Sequence, residues 1–255
     1  MIAEVLEYLL TPVAPPLRDT LKASIGIRSR HHRLSGQWSP HLEQTRRFLI
    51  ENMRDSDANG TAIILGAGLH HDIPVSALAD RFREVLLVDI VHPIFSSIPL
   101  IFRRNVHRIH MDLNGALDLD QRSGKIICAR SIPRAPSLPS LPPCAFMASV
   151  NVASQLALAQ PEDGTGSPTL PLSLIQRHLD ELRAHPAQNK VLVSDRWIKR
   201  SFRDGSGNPS RLDDALHGVH LRSPDLRWTW NLAPRGEIDQ ETNVECEVHA
   251  WANPF

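Results

Sequence analysis

The sequence predicts an α/β fold: a mostly parallel sheet closed by a C-terminal antiparallel hairpin, with a helical segment over residues 1–54 in front of it. Three observations carry this. Short apolar runs at 61–65, 84–88, 106–111, 144–150 and 190–194 alternate with helical or loop stretches, as strands buried on both faces of a parallel sheet do. The first run leads into Gly66-Ala67-Gly68, then a helical pattern over 73–83, then a second run closed by Asp89, which reads as β-turn-α-β. Near the end the pattern changes to a period of two, with Trp228 and Trp230 in 226–232 and Val244, Cys246, Val248 and Ala250 in 242–251. Two such runs joined around Pro234-Arg235-Gly236 make a hairpin.

In chain order, Ile2, Val5, Leu6, Leu9 and Leu10 recur at helical spacing before Pro12, and a second helix is expected over 17–25. Arg28, Arg30, Arg33, Arg46 and Arg47 are then interleaved with Trp38. Ser39 before Pro40 is a helix start with proline at the first helical position, and Leu42, Phe48, Leu49 and Met53 form an apolar stripe behind it. This segment reads either as a cap with its arginines in water or as a lid carrying Arg30, Trp38 and His41 over a substrate. After Asp89, residues 94–102 are a short apolar helix candidate. Prolines at 133, 136, 139, 142 and 143 favour an extended crossing loop, and 161–171 and 203–210 are expected as loops.

Composition narrows the function. A chain of 255 residues with 42% hydrophobic and 22% charged residues is ordinary for one globular domain with additions. Lys+Arg and Asp+Glu balance at 28 each, so no overall positive field gathers nucleic acid or anionic membrane, and a small-molecule partner is expected instead. No apolar run approaches the ~18 residues of a membrane span, so a cytoplasmic protein is expected. Cys128, Cys144 and Cys246 lack any C-x-x-C pairing and read as packing residues. The 13 histidines show no metal-ligand spacing, so no metal is expected and they read as dispersed on the surface.

The chemistry concentrates at 61–89. Glycines at a strand-to-helix turn let the main chain turn tightly and come close to a ligand, and the helix that follows offers unpaired N–H groups. Asp89, 21 residues after Gly68, is spaced to meet a ribose diol. An adenosine-containing cofactor fits this unit.

Gly66, Gly68 and Asp72, spaced Gly-x-Gly-x-x-x-Asp, resemble the first motif of the class I S-adenosylmethionine-dependent methyltransferases. A dinucleotide fingerprint would place glycine at 71, where this chain has His71. Ile64 stands where many methyltransferases carry an acidic residue, and His70 where a third glycine is frequent. The resemblance extends diffusely over 60–255. It implies a Rossmann-like, seven-stranded, mostly parallel sheet in a domain of 55–255, with a seventh strand inserted between the fifth and sixth, under a cap of 1–54.

It also implies S-adenosyl-L-methionine as cofactor, held by Gly66, Ala67, Gly68 and Asp72, with Asp89 and Ile90 at the ribose and Asp112 and Leu113 at the adenine. Ser149 and Asn151 would complete the cofactor contacts beside the methyl-transfer site, with Gln155 at the substrate. From local chemistry alone Asp112 is equally a turn residue, and Ser149, Asn151 and Gln155 equally strand-end caps. No residue is singled out as a catalytic base. An NAD(P)-linked oxidoreductase and a non-catalytic interaction module of the same fold are the competing expectations.

Overall fold

The computed structural model describes residues 2–129, 138–156, 170–203 and 210–255. Residues 133–137, 161–169 and 204–209 of the three expected loops lie outside these. Helices α1 (Ile2–Leu10), α2 (Arg18–Arg33) and α3 (Ser35–Asn52) come first. Then follow β1 (Thr61–Leu65), α4 (Val75–Arg81), β2 (Glu84–Asp89), α5 (Ile94–Ser97), β3 (Val106–His110) and a small hairpin of β4 (Leu117–Leu119) and β5 (Ile126–Ala129). The second half holds β6 (Cys144–Val150), α6 (Val152–Leu156), α7 (Leu170–Ala184), β7 (Ala187–Ser201), β8 (Arg211–Asp214), β9 (Leu226–Ala233) and β10 (Asn243–Ala252).

The main sheet runs β3-β2-β1-β6-β7-β10-β9, with β8 added to the outer part of β7. Its first five strands are parallel, and β10 runs antiparallel between β7 and β9. This is the Rossmann-like order with an inserted antiparallel strand. The sheet has eight strands rather than seven, because β8 folds back on β7.

Successive residues of β1 serve opposite faces. Ile63 and Leu65 join Met147, Ile175 and Leu179 on the α7 side, while Ala62 and Ile64 join Phe48, Leu49, Leu78 and Phe82 on the side of α3 and α4. The N-terminal helices therefore share the core of the sheet. The parallel strands end at one edge, where Leu65 is level with Val88 and Ser149, and open α/β sheets bind ligands at that edge.

Several boundaries differ from expectation. Helix α2 continues to Arg33, and α3 begins at Ser35, placing Pro40 inside it. Tertiary packing decides this: Trp38 is buried and its Nε1–H donates to the Leu232 carbonyl at 3.2 Å, which holds a turn that the Ser39-Pro40 signal would leave out. The helix expected over 94–102 is one α turn followed by a 3₁₀ turn at Ile98–Leu100, where Pro99 can donate no amide hydrogen. Strand β7 runs well past 194, since β8 and β10 supply its outer half with partners. In α1 the apolar residues Ile2, Val5, Leu6, Leu9 and Leu10 are exposed. The buried residue is Glu7, paired with Arg28 at 2.5 Å and accepting the Phe95 N–H at 3.0 Å.

Candidate active site

The loop after β1 forms the centre. The amides of Gly66 and Ala67 both donate to the Val88 carbonyl, at 3.0 and 3.2 Å, which folds the loop over the end of β2. Gly66 has φ +81°, and a Cβ there would lie 2.3 Å from the Val150 carbonyl oxygen, so only glycine fits. The Gly68 N–H donates to Asp89 Oδ2 at 2.8 Å, and a Cβ on Gly68 would meet that oxygen at 2.9 Å. Asp89 Oδ1 accepts the Ile90 N–H at 2.7 Å. Burial pushes the Asp89 carboxyl up to about 6, against the lowering effect of these amides. Gly66, Ala67, Gly68, Asp89 and Ile90 are thus assembled at the ends of β1 and β2.

Asp72 and Asn151 meet beside this loop. Asn151 adopts the left-handed conformation, φ 59°, at the end of β6, which asparagine tolerates better than most residues. Its amide continues the ladder to the Val193 carbonyl at 2.8 Å, and its Nδ2 donates to Asp72 Oδ2 at 3.0 Å. Burial raises the Asp72 carboxyl to about 6. On β7, Asp195 is likewise raised to about 6 by burial, and the Ser154 hydroxyl stands 3.5 Å from its Oδ2. Sequence reading passed over Asp195 in this role. Its signal was a carboxylate near the end of a parallel strand, the edge where such sheets bind ligands.

Other expected residues are engaged elsewhere. Asp112 is buried, and its carboxylate accepts the amides of Asn114, Ala116 and Leu117, each at 2.9 Å, which is the bonding of a turn residue. Leu113 packs in the core on the α7 side. The Ser149 hydroxyl lies 2.9 Å from His178 Nε2 of α7, a buried pair under the sheet. Gln155 is exposed on α6.

The N-terminal residues tie the helices to the C-terminal hairpin. Arg30 Nε lies 3.0 Å from Glu237 Oε1, which Arg33 shares. His41 stacks on Trp230 with centroids 4.0 Å apart and planes 5° apart, and its Nδ1 accepts the Trp228 Nε1–H at 3.0 Å. Burial lowers His41 to about 3, so the ring is neutral at physiological pH.

Only some histidines, among them His32, His107, His217 and His220, lie on the surface as expected. His41, His92 and His178 are buried, and His31 stacks on His71 at 4.1 Å. Hydrophobic packing recruits neutral imidazoles here, and sequence spacing does not reveal it. Among the described residues no group of three or more His, Cys, Asp or Glu is arranged to hold a metal ion.

A cleft of about 1000 Å³ opens between the N-terminal helices and the chain following the glycine loop. Arg28, His32, Arg46, His70, His71 and Arg103 contribute to its wall. Arg46 Nη2 donates to the His71 carbonyl. Burial lowers His70 to about 4 and His71 to about 3, leaving the arginines as the cations of this wall.

A Rossmann-like sheet with an inserted antiparallel strand, carrying a glycine loop and an acidic residue at the end of its second strand, is the class that fold and site define. No protein-family model matches the chain, and no curated protein matches it in sequence. Its structure is similar to that of DhpI in complex with SAH, at 13% identity and a TM-score of 0.41, covering 89% of this chain and 93% of that one. It is also similar to Burkholderia thailandensis 1,6-didemethyltoxoflavin-N1-methyltransferase with bound 1,6-didemethyltoxoflavin and S-adenosylhomocysteine, at 13% identity and a TM-score of 0.40, covering 94% and 92%. A third is the 23S rRNA methyltransferase ErmE, at 11% identity and a TM-score of 0.34, covering 83% and 69%. At these levels the likeness is one of fold, and the site is read from its own geometry.

Proposed function

We propose that the protein is an S-adenosylmethionine-dependent methyltransferase acting on a small molecule. The observation that carries this is the Asp89 carboxylate, held between the amides of Gly68 and Ile90 at the mouth of the glycine loop, in a sheet whose antiparallel β10 separates β7 from β9. Dehydrogenase-type Rossmann domains lack that inserted strand, and His71 replaces the glycine their fingerprint needs. The residues present suit the cofactor: a carboxylate oriented by two amides can still accept two ribose hydroxyls on its remaining lone pairs.

The bound cofactor supplies an electrophilic methyl group on a sulfonium. The chain's task is to hold an acceptor in line with it and to exclude water. Helices α2 and α3, fastened to the hairpin through His41, Trp38 and Glu237, close one side as a lid. Arg46 in the cleft suits an acceptor bearing a carboxylate or phosphate. Among the described residues no helix is long and apolar enough to cross a membrane, and we place the activity in the cytoplasm.

Titration calorimetry with S-adenosylhomocysteine and, separately, NADH tests the assignment. Binding of the first at one site and none of the second is expected; the reverse would show a nicotinamide enzyme, and heat from neither would favour a non-catalytic module.

A further inference from the structure

Ile64 leaves the glycine loop without an acidic residue before its first glycine, while Asp72 and Asp195 stand on its other side, neither in a salt bridge among the described residues and only Asp72 within the field of a cation, Arg46. Asp72 belongs to the loop itself. Asn151 abuts it through Gly66, whose missing Cβ would touch the Val150 carbonyl, and binds Asp72 at 3.0 Å. Asp195 reaches the same place from β7: the Ser154 hydroxyl lies 3.3 Å from the Asn151 carbonyl oxygen and 3.5 Å from Asp195 Oδ2, and Asp72 is near enough to raise the Asp195 carboxyl further.

Two acceptor oxygens here, Asp195 Oδ1 and Asn151 Oδ1, are sealed from solvent and have no hydrogen-bond partner in the described structure. Buried acceptors without donors are costly, and two of them on residues linked through Ser154, beside carboxyls that make no salt bridge among the described residues, point to a missing donor that also carries positive charge. A primary ammonium has three N–H donors and the right charge. The positive φ of Asn151 fits a site where backbone strain is tolerated to aim a side chain.

We propose that Asp72, Asn151 and Asp195 form a receptor for a primary ammonium group, that of the amino-acid end of the cofactor. This rests on the methyltransferase reading. It supplies, from the strand ends of β6 and β7, the counter-charge that position 64 lacks. Asp195 is assigned here as a binding residue, and its carboxylate takes no part in bond breaking.

The test uses the full chain and its Asp72→Asn and Asp195→Asn variants, titrated with S-adenosylhomocysteine and with 5′-methylthioadenosine, which has the same nucleoside thioether but no amino-acid end. In the wild type S-adenosylhomocysteine should bind more tightly. Each substitution should weaken it roughly 10- to 100-fold, the scale of a hydrogen bond to a charged group, and leave 5′-methylthioadenosine unchanged. Thermal unfolding guards against a trivial loss: removing an uncompensated buried carboxyl should leave the melting temperature of Asp195→Asn equal to or above that of the wild type.

If neither ligand responds to the substitutions, benzylamine is titrated into the S-adenosylhomocysteine complex. Binding to the wild type but not to the variants would keep the receptor and assign its ammonium to the methyl acceptor. Variants that bind all three probes like the wild type, or that lose both nucleosides equally, overturn the receptor. A wild type that binds neither nucleoside overturns the methyltransferase reading, and this assignment with it.

Discussion

Replacing Asp89 by asparagine keeps the shape of the side chain and removes its charge. In the wild type the carboxyl, at about 6 when folded, lies above its ordinary value of 3.8. A raised acid stabilises the fold fully below the unfolded value, and that contribution is lost as pH rises through 6. The shift of about 2 units corresponds to at most about 3 kcal/mol at 1.36 kcal/mol per unit. Ligand-free Asp89→Asn should therefore gain stability relative to wild type as pH rises from 4 to 7.

Cofactor affinity should move the other way. The ionised carboxylate accepts ribose hydroxyls and the protonated acid does not, so Asp89 alone should lower wild-type affinity for S-adenosylhomocysteine about tenfold from pH 7 to pH 5. In Asp89→Asn affinity should already be about 1.5–3 kcal/mol weaker at pH 7, and its fall toward pH 5 should be shallower than the wild type's, with only Asp72 and Asp195 left to titrate against the ligand. Calorimetry at pH 5, 6 and 7, with urea unfolding in the same buffers, measures both. Equal affinity of variant and wild type at pH 7, with both folded, would refute the role of Asp89 and the cofactor assignment with it.

Gly68→Val should abolish binding while circular dichroism retains the helical signal, because its Cβ would press on Asp89 Oδ2 from 2.9 Å; retained affinity would make the loop a plain turn. His178, lowered to about 4 by burial, contributes stability above pH 6.5 that is lost as pH falls toward 4, about 2 kcal/mol of it by pH 5. Urea unfolding of His178→Leu should show a shallower dependence over that range, and an unchanged slope would mean the ring is not kept neutral. His41→Ala removes a stacked ring and the acceptor for Trp228, so it should cost about 3 kcal/mol by urea unfolding, as loss of a buried aromatic ring does. Arg30→Ala removes only a partly exposed ion pair, so it should leave stability within about 1 kcal/mol while lowering turnover if α2 is a lid; full turnover in this variant would limit the N-terminal segment to a structural cap.

The parts of the fold legible in the sequence are those whose signal is local. Strands β1, β2 and β6 are buried on both faces and show as apolar runs, and the alternating Trp228 and Trp230 mark β9. The glycine loop was legible because its chemistry depends on neighbours in the chain. What was not legible depends on distant partners. Asp112 and Ser149 are polar residues at strand ends in either reading, and only the amides of 114–117 and His178 show where their oxygens go. Trp38 extends α3 through a carbonyl on β9, and Asp195 gains meaning only from Asp72 and Asn151.

The most direct measurement is a structure of the chain with S-adenosylhomocysteine bound. Both ribose hydroxyls are predicted within 3.2 Å of the Asp89 carboxylate, the upper bound for such bonds, with the nucleoside across the ends of β1 and β2. A nucleoside bound elsewhere, with Asp89 still closed on Gly68 and Ile90 and touching no ligand atom, would contradict the proposed function.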